Sequence, residues 1–522
     1  MFYNSSNSFE YNECVSRGAC SVSPTLSTMQ EVMFILLRQI AFYLIRLQEF
    51  NIIHDDIERN VVSEIALFDA AKDFSEKQIL EAFSFHYAEL VKLRKEYLTL
   101  CKDNNKQCKD LKNLLKFSPK TGLSAILKRG DKEFLQKFKL QNSKYLSDIL
   151  SAVIKSVCVN LVTLYDNGET CRDASNTVLK ALDVFNNRRI SSEILTDYIK
   201  ELAKCDVELL KLINNYQTET YGTVEKTEVL YSTRPHKAIL VSGSNLSDLK
   251  AVIEAVKDKN IDVYTNGNLL IAHAFPYFKN SQNLKGHFGA GVYSTILDFA
   301  TFPGAILLTK NEAQNIEYLY RGRLYTTDDI SPKGIVKIEN NNFEPLIESA
   351  LDAKGFAKGQ DRGSEVVGFD EEKLNADLDK IKDAERIFII GPSNLSLFQK
   401  DYFEKFFEIM PDNTAAISFS YNPEMKNVIA LNLGNDYAIL YNVLRIIFEK
   451  IPVNSDKLAF FLTKCDINSL SNIINLKNMG AKNIFLSDCP PLVINPAVLR
   501  EFTSMFGVNH ITNPKDDLAI LK

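Results

Sequence analysis

The chain has 522 residues, 45% hydrophobic and 24% charged, with 61 basic against 66 acidic side chains and a formal net charge of −5. That length exceeds what one core supports and asks for several domains. The composition excludes a disordered or fibrous chain, and the absence of a basic block argues against nucleic acid as a partner.

The first residues, MFYNSSNSFEYNE, lack the basic and apolar regions of a secretory leader, so the cytoplasm is the expected compartment. The apolar stretch from Met33 to Phe50 is interrupted by Arg38 and Arg46 and repeats at helical spacing; it reads as an amphipathic core helix rather than a membrane span. Glu31 to Phe50, Lys77 to Cys101, Lys144 to Tyr165 and Glu193 to Tyr216 each place apolar residues three and four apart, which predicts bundled helices. Near Val224 the pattern changes. Short apolar runs at Ala238 to Ser242, Ile261 to Thr265 and Gly304 to Thr309, with an amphipathic segment from Leu246 to Lys257, predict βαβ units on a parallel sheet. The Gly-containing polar stretch from Lys354 to Glu365 is the expected linker. Beyond it the alternation resumes at Arg386 to Gly391, Thr414 to Ser420, Asn427 to Leu433, Leu458 to Thr463 and Lys482 to Ser487. The expected organisation is a helical-bundle domain over 1–223, a first α/β domain over 224–365 and a second over 366–522, both Rossmann-like with mainly parallel sheets.

General motifs add little. The turns SGSN (Ser242 to Asn245) and GPSN (Gly391 to Asn394) follow strands, where parallel sheets place ligands, but neither is a dinucleotide fingerprint or a phosphate loop. GHFGAG at Gly286 to Gly291 lacks the fingerprint spacing. Histidines at 54, 86, 236, 273, 287 and 510 form no zinc-protease pattern, and His273 reads first as a histidine hydrogen-bonded within the fold. Nine cysteines, at 14, 20, 101, 108, 158, 171, 205, 465 and 489, are an odd, scattered set, so free thiols are expected rather than a disulfide framework.

The segment Ala238 to Tyr293 closely resembles the signature ILVSGHDLKDL, GIDVYTHGEMLPAHAYP, LVGNYGNAWW of the hybrid-cluster protein family, also called prismane or hydroxylamine reductase. The likeness continues through TYG (Thr220 to Gly222), GAILLTKNEA (Gly304 to Ala313), RLYTTDD (Arg323 to Asp329) and MGAKNIFLSDCPPLVINPAVL (Met479 to Leu499). At the amino terminus MFYNSS and ECVSRGAC resemble the family's MFCxxC and GCxxxGxC. The resemblance implies a helical domain followed by two related α/β domains, a 4Fe-4S or 2Fe-2S cluster near the amino terminus and a hybrid iron-sulfur-oxygen cluster deeper in. It further implies hydroxylamine reduction to ammonia, with nitric oxide or peroxide handling as related chemistry under nitrogen stress.

Carried across residue by residue, the ligand positions are altered. Tyr3 and Ser6 stand where the first amino-terminal cysteines belong, leaving Cys14 and Cys20. The hybrid-cluster positions fall on Ser244, Asn268, Glu312, Ser393, Tyr421, Gly434 and Asp466. Soft thiolates are what hold iron-sulfur centres, and Ser, Tyr, Asn and Gly replace them poorly. The expectation is therefore a chain without cofactor or confident catalytic residue, acting as a non-redox binding, structural or regulatory paralogue with a protein partner or a second copy, away from membranes and nucleic acid. The alternative is a reductase with a remodelled metal site, for which Glu312, Asp466 and His273 are the candidate ligands.

Overall fold

The computed structural model describes residues 24–520 apart from 68–75, 116–123, 127, 130–143, 188–189, 290–294, 311–321, 329–333, 393–394, 421–422, 424, 465–466 and 488–495. Helices dominate the amino-terminal part: α1 (Pro24–Gln48), α2 (Asp55–Leu67), α3 (Glu76–Asp103), α4 (Lys144–Asp166), α5 (Arg172–Val184) and α6 (Ser192–Tyr221). Tyr145–Asp166, within α4, is the one helix among the described residues long and apolar enough to cross a membrane; 78% of its apolar window is buried inside the protein. Val153, Ile154, Val157, Leu161 and Leu164 on it are all fully buried, the pattern of a helix packed on several sides.

Two six-stranded parallel sheets follow. The first comprises β2 (Ala238–Ser242), β3 (Asp262–Asn266), β4 (Leu284–His287), β5 (Ala305–Leu308), β6 (Leu324–Thr326) and β7 (Val336–Lys337), in the order β4-β3-β2-β5-β6-β7. The second comprises β9 (Ile387–Gly391), β10 (Ala415–Ser418), β11 (Val428–Ala430), β12 (Leu458–Leu462), β13 (Asn483–Leu486) and β14 (Asn509–His510), in the order β11-β10-β9-β12-β13-β14. Numbered within each sheet, both orders read 3-2-1-4-5-6, the doubly wound Rossmann arrangement. The strands β2, β3, β5 and β9 are buried at every position, as expected where helices cover both faces. Each sheet has its own aromatic core: Tyr264, Phe288, Phe299 and Phe302 in the first, Phe388, Phe403, Phe406, Phe461 and Phe485 in the second.

The fold is thus a helical region plus two Rossmann-like α/β domains. Packing divides the chain into two compact units. One is helical up to Leu209 and also takes in α14 (Ile467–Asn478) and α15 (Pro496–Phe506), and the other, from Leu210, holds both sheets. The helices α14 and α15 lie between strands of the second sheet in sequence yet pack on α4. There the buried Asp206 carboxylate is met by Ser156 Oγ and Asn160 Nδ2 at 2.8 and 2.7 Å, and Asn468 of α14 joins through Ser156, whose Oγ lies 3.0 Å from its Oδ1.

The expected linker differs from the structure at its end. Ser364 to Val367 form β8, which pairs antiparallel with β1 (Thr227–Leu230). Three of its four residues are exposed, so it carries none of the apolar alternation that announces a strand. The expectation of free thiols is likewise corrected: Cys101 and Cys108 form a disulfide. The helix α3 ends at Asp103 and the chain turns back within a few residues, a local closure that an odd cysteine count could not reveal.

Candidate functional site

In a sheet of this order ligands sit outside the carboxyl ends of the strands, where the crossovers reverse direction between the first and fourth strands. In the first sheet that place lies between β2 and β5. Thr309, directly after β5, donates its backbone N–H to Ser242 O at 2.9 Å, and its hydroxyl accepts from the backbone N–H groups of Ser244 and Asn245 at 3.2 and 3.4 Å. Asn245 caps the next helix, α7 (Leu246–Ala255), accepting from Asp248 N. The second sheet repeats the arrangement, with Thr463 N after β12 donating to Gly391 O at 3.1 Å.

The candidate positions fall at these strand ends. Ser244 follows β2, Asn268 follows β3, Gly434 follows β11, and in sequence Glu312, Ser393, Tyr421 and Asp466 follow β5, β9, β10 and β12. Glu312, Ser393, Tyr421 and Asp466 lie outside the described residues, as do Tyr3, Ser6, Cys14, Cys20, Cys465 and Cys489.

Of the described positions, Ser244 is exposed and presents a hydroxyl. Asn268 stands on a 3-10 turn, Gly267–Ala274, and its Oδ1 accepts from Asn435 Nδ2 at 3.2 Å. Gly434 and Asn435 both adopt left-handed backbone, φ 60° and 64°. A Cβ on Gly434 would lie 2.6 Å from Ile271 Cβ, so the 3-10 turn fills the space a side chain would need. The neighbouring Asp436 caps α13 (Tyr437–Lys450) by accepting from Ala438 N and Ile439 N at 2.9 and 3.0 Å, and it accepts from Gln217 Nε2 at 3.0 Å. Burial pushes its carboxyl above the usual range against the pull of those three donors and of Lys464.

His273 is buried on the 3-10 turn, with Nε2 2.9 Å from Thr265 Oγ1; the same hydroxyl lies 2.9 Å from Nδ1 of buried His287. One hydroxyl carries one proton, so Thr265 donates to one imidazole and accepts from the other. Burial holds His273 down at about 4, opposed by a backbone hydrogen bond with Gly286. Burial, with His273 as neighbour, holds His287 down at about 3. Both rings are neutral near pH 7, and His273 is engaged on its surroundings rather than presented as a ligand. The sequence does not single out His287 or Thr265: Thr265 is at the end of β3 and His287 at the end of β4, and only the pairing of those strands brings them together. Beside them Asn266 accepts from Ser242 Oγ at 2.8 Å and donates to Phe288 O and Asp298 Oδ2 at 2.6 and 3.2 Å, tying β2, β3 and the following segment together.

A family model described as Prismane/CO dehydrogenase family matches residues 10–418. The chain belongs to that family. It is similar to the hydroxylamine reductase of Rhodospirillum rubrum, 25% identical with 97% of each chain covered. It is similar also to that of Methanocella arvoryzae, at 24% with 97% of each covered, and to that of Clostridium perfringens, at 23% with 97% of this chain and 96% of that one covered. Among solved structures, an alpha subunit of acetyl-CoA synthase/carbon monoxide dehydrogenase with NiZn[Fe4S4] and NiNi[Fe4S4] clusters aligns at a TM-score of 0.49 and 12% identity, over 96% of this chain and 82% of that one.

Membership corrects one expectation, that of a chain without cofactor: the family points to iron-sulfur cofactors. Among the described candidate positions the resemblance implies a histidine at 244, a glutamate at 268 and a cysteine only at 434; the hydroxyl, amide and hydrogen found there supply no thiolate, and among the described residues no three His, Cys, Asp or Glu converge as a metal site.

Proposed function

We propose that the chain is an oxidoreductase of the hydroxylamine reductase type whose metal centre is held by a remodelled ligand set at the strand ends. The observation that carries this reading is co-extension: the hydroxylamine reductase of Rhodospirillum rubrum aligns with 97% of the chain, and the described candidate positions Ser244, Asn268 and Gly434 each follow a parallel strand. Glu312 and Asp466 are the donors of choice, hard oxygens in place of soft sulfur. Buried, neutral His273 acts through Thr265 by setting the shape of the turn that bears Asn268. The substrates are hydroxylamine or the related small oxidants nitric oxide and peroxide.

The test is iron and acid-labile sulfide content of anaerobically purified protein, with hydroxylamine turnover driven by reduced viologen. Asp466→Ala and Glu312→Ala are expected to lower both metal content and turnover at least about tenfold. Metal-free protein without turnover ends the reading.

A second reading is favoured by one observation, the direct joining of Asn268 to Asn435 and of Ile271 to Gly434. Turns that hold each other in this way suit a non-redox binding, structural or regulatory role. The partner is then a protein or a second copy of the chain, since a net charge of −5 does not recruit nucleic acid. Co-purification from the native host, followed by mass determination, tests it: a chain recovered alone and monomeric sinks it.

A further inference from the structure

We propose that Cys101 and Cys108 form a reversible dithiol-disulfide exchange site whose co-substrate is a dithiol. The two residues are bridged, with Cα atoms 5.9 Å apart, and backbone as well as sulfur brings them together. At the end of α3, Asn104 N donates to Leu100 O, Asn105 N to Lys102 O and Lys106 N to Cys101 O, while Asn105 takes the left-handed conformation at φ 50°. This helix stop reverses the chain and aims residue 108 back at residue 101.

Beyond Cys108 the chain is clamped again. Asp110 accepts from Tyr43 Oη and from Arg94, and Gln39 accepts from Leu115 N and donates to Asn113 O, both at 2.9 Å. With both ends held without help from sulfur, opening the bridge leaves the thiols as neighbours, and closing it again needs no search. The site is also reachable. Cys101 is buried, but Cys108 is half-buried and stands in an exposed run that includes Lys102, Lys106, Lys109 and Lys112. Their positive charge favours an approaching thiolate. The free thiol of Cys158 offers a contrast: it is fully buried in α4 beside Asp206, and burial holds it protonated.

In the exchange a thiolate of the co-substrate attacks Cys108 Sγ, forming a mixed disulfide. The Cys101–Cys108 bond breaks, its electron pair leaves on Cys101 Sγ, and that sulfur takes a proton. The second thiolate of the co-substrate then attacks its own mixed disulfide, releasing Cys108 as a thiolate that is protonated in turn. The co-substrate leaves oxidised as a disulfide, and two electrons and two protons have entered the chain.

The test uses the full chain, titrated with dithiothreitol in one arm and with a reduced protein bearing a Cys-x-x-Cys motif in the other, then alkylated and mapped by mass spectrometry. In at least one arm Cys101 and Cys108 are expected to gain label together while Cys158 stays unlabelled and the circular dichroism is unchanged; oxidised dithiothreitol abolishes the labelling. In Cys101→Ser, Cys108 is labelled with no reductant. A pair that opens only on unfolding, thiols that never close under the oxidant, or a fall in Tm beyond about 5 °C on reduction marks a static cross-link or no link, and overturns the proposal.

Discussion

Ile271 stands against Gly434 so closely that any side chain at 434 would lie 2.6 Å from its Cβ. Gly434→Cys meets both this contact and a φ of 60°, and is expected to destabilise the protein by about 2–4 kcal/mol without raising its iron content. Denaturant unfolding with metal analysis checks both. Pairing Gly434→Ala with Ile271→Gly, which removes the Cβ that the new side chain meets, should recover part of the loss, with a coupling of about 0.5–3 kcal/mol; strict additivity would show that the two residues do not compete for space.

His86 joins α2 to α3. Its Nδ1 lies 2.8 Å from Glu89 and its Nε2 3.3 Å from Glu64, with Asn60 donating to the other Glu89 oxygen at 2.7 Å. Burial alone would keep the ring neutral, but the hydrogen bonds of Glu64 and Glu89 win and raise it to about 9. A folded value above the unfolded 6.5 means stability fully present below pH 6.5 and lost as pH rises toward 9, on the order of 2–3 kcal/mol. Unfolding free energies at pH 6.5 and pH 9 test this. His86→Gln should flatten that dependence; an unchanged slope would assign it elsewhere.

Thr265 serves two buried imidazoles with one hydroxyl. Thr265→Val keeps the shape and removes the proton they share, leaving two ring nitrogens unpaired at a cost of about 2–4 kcal/mol at pH 7. Because His273 and His287 are held at about 4 and about 3, the unfolded chain binds their protons first as pH falls below 6.5. They therefore withdraw stability through the interval from 6.5 to about 4. His287→Asn should lessen this acid loss, measured against the wild type at pH 7 and pH 5.

Asp436 holds a helix end and a glutamine at once. Asp436→Ala removes the cap of α13 and strands Gln217 Nε2, for a loss of about 2–3 kcal/mol. Asp436→Asn keeps an accepting oxygen for the cap and should lose less than half of that. Equal losses would show that charge, not capping, is what the site requires.

The sequence carried the parts of this architecture that periodicity writes plainly. The fully apolar runs of β2 and β9 and the three-and-four spacing of α3 and α6 are visible without a structure, because buried faces demand those residues. The strand β8 is not, since Ser364, Glu365 and Val366 are exposed and held by backbone pairing and by polar contacts, Ser364 donating to Glu228 and Glu365 accepting from Tyr231 and Asn432, none of which writes an apolar pattern. Nor is the Cys101–Cys108 bridge, which depends on a helix stopping at Asp103. At the site, resemblance points to positions 244, 268 and 434, but the contacts made around them lie between residues distant in sequence. Asn435 and Asp436 match the family's GQCNDA-like segment, but the meeting of Asn435 with Asn268 and of Gly434 with Ile271 is visible only in the structure.

The pairing of β1 with β8 places the entrance and exit of the first α/β domain side by side, like the two jaws of a zip. Everything between Leu230 and Ser364 is thereby a cassette that departs from and returns to one spot. A short splice across those jaws would lift the cassette out without stretching the chain, but it would take with it the Asn268 and Ile271 against which Asn435 and Gly434 rest.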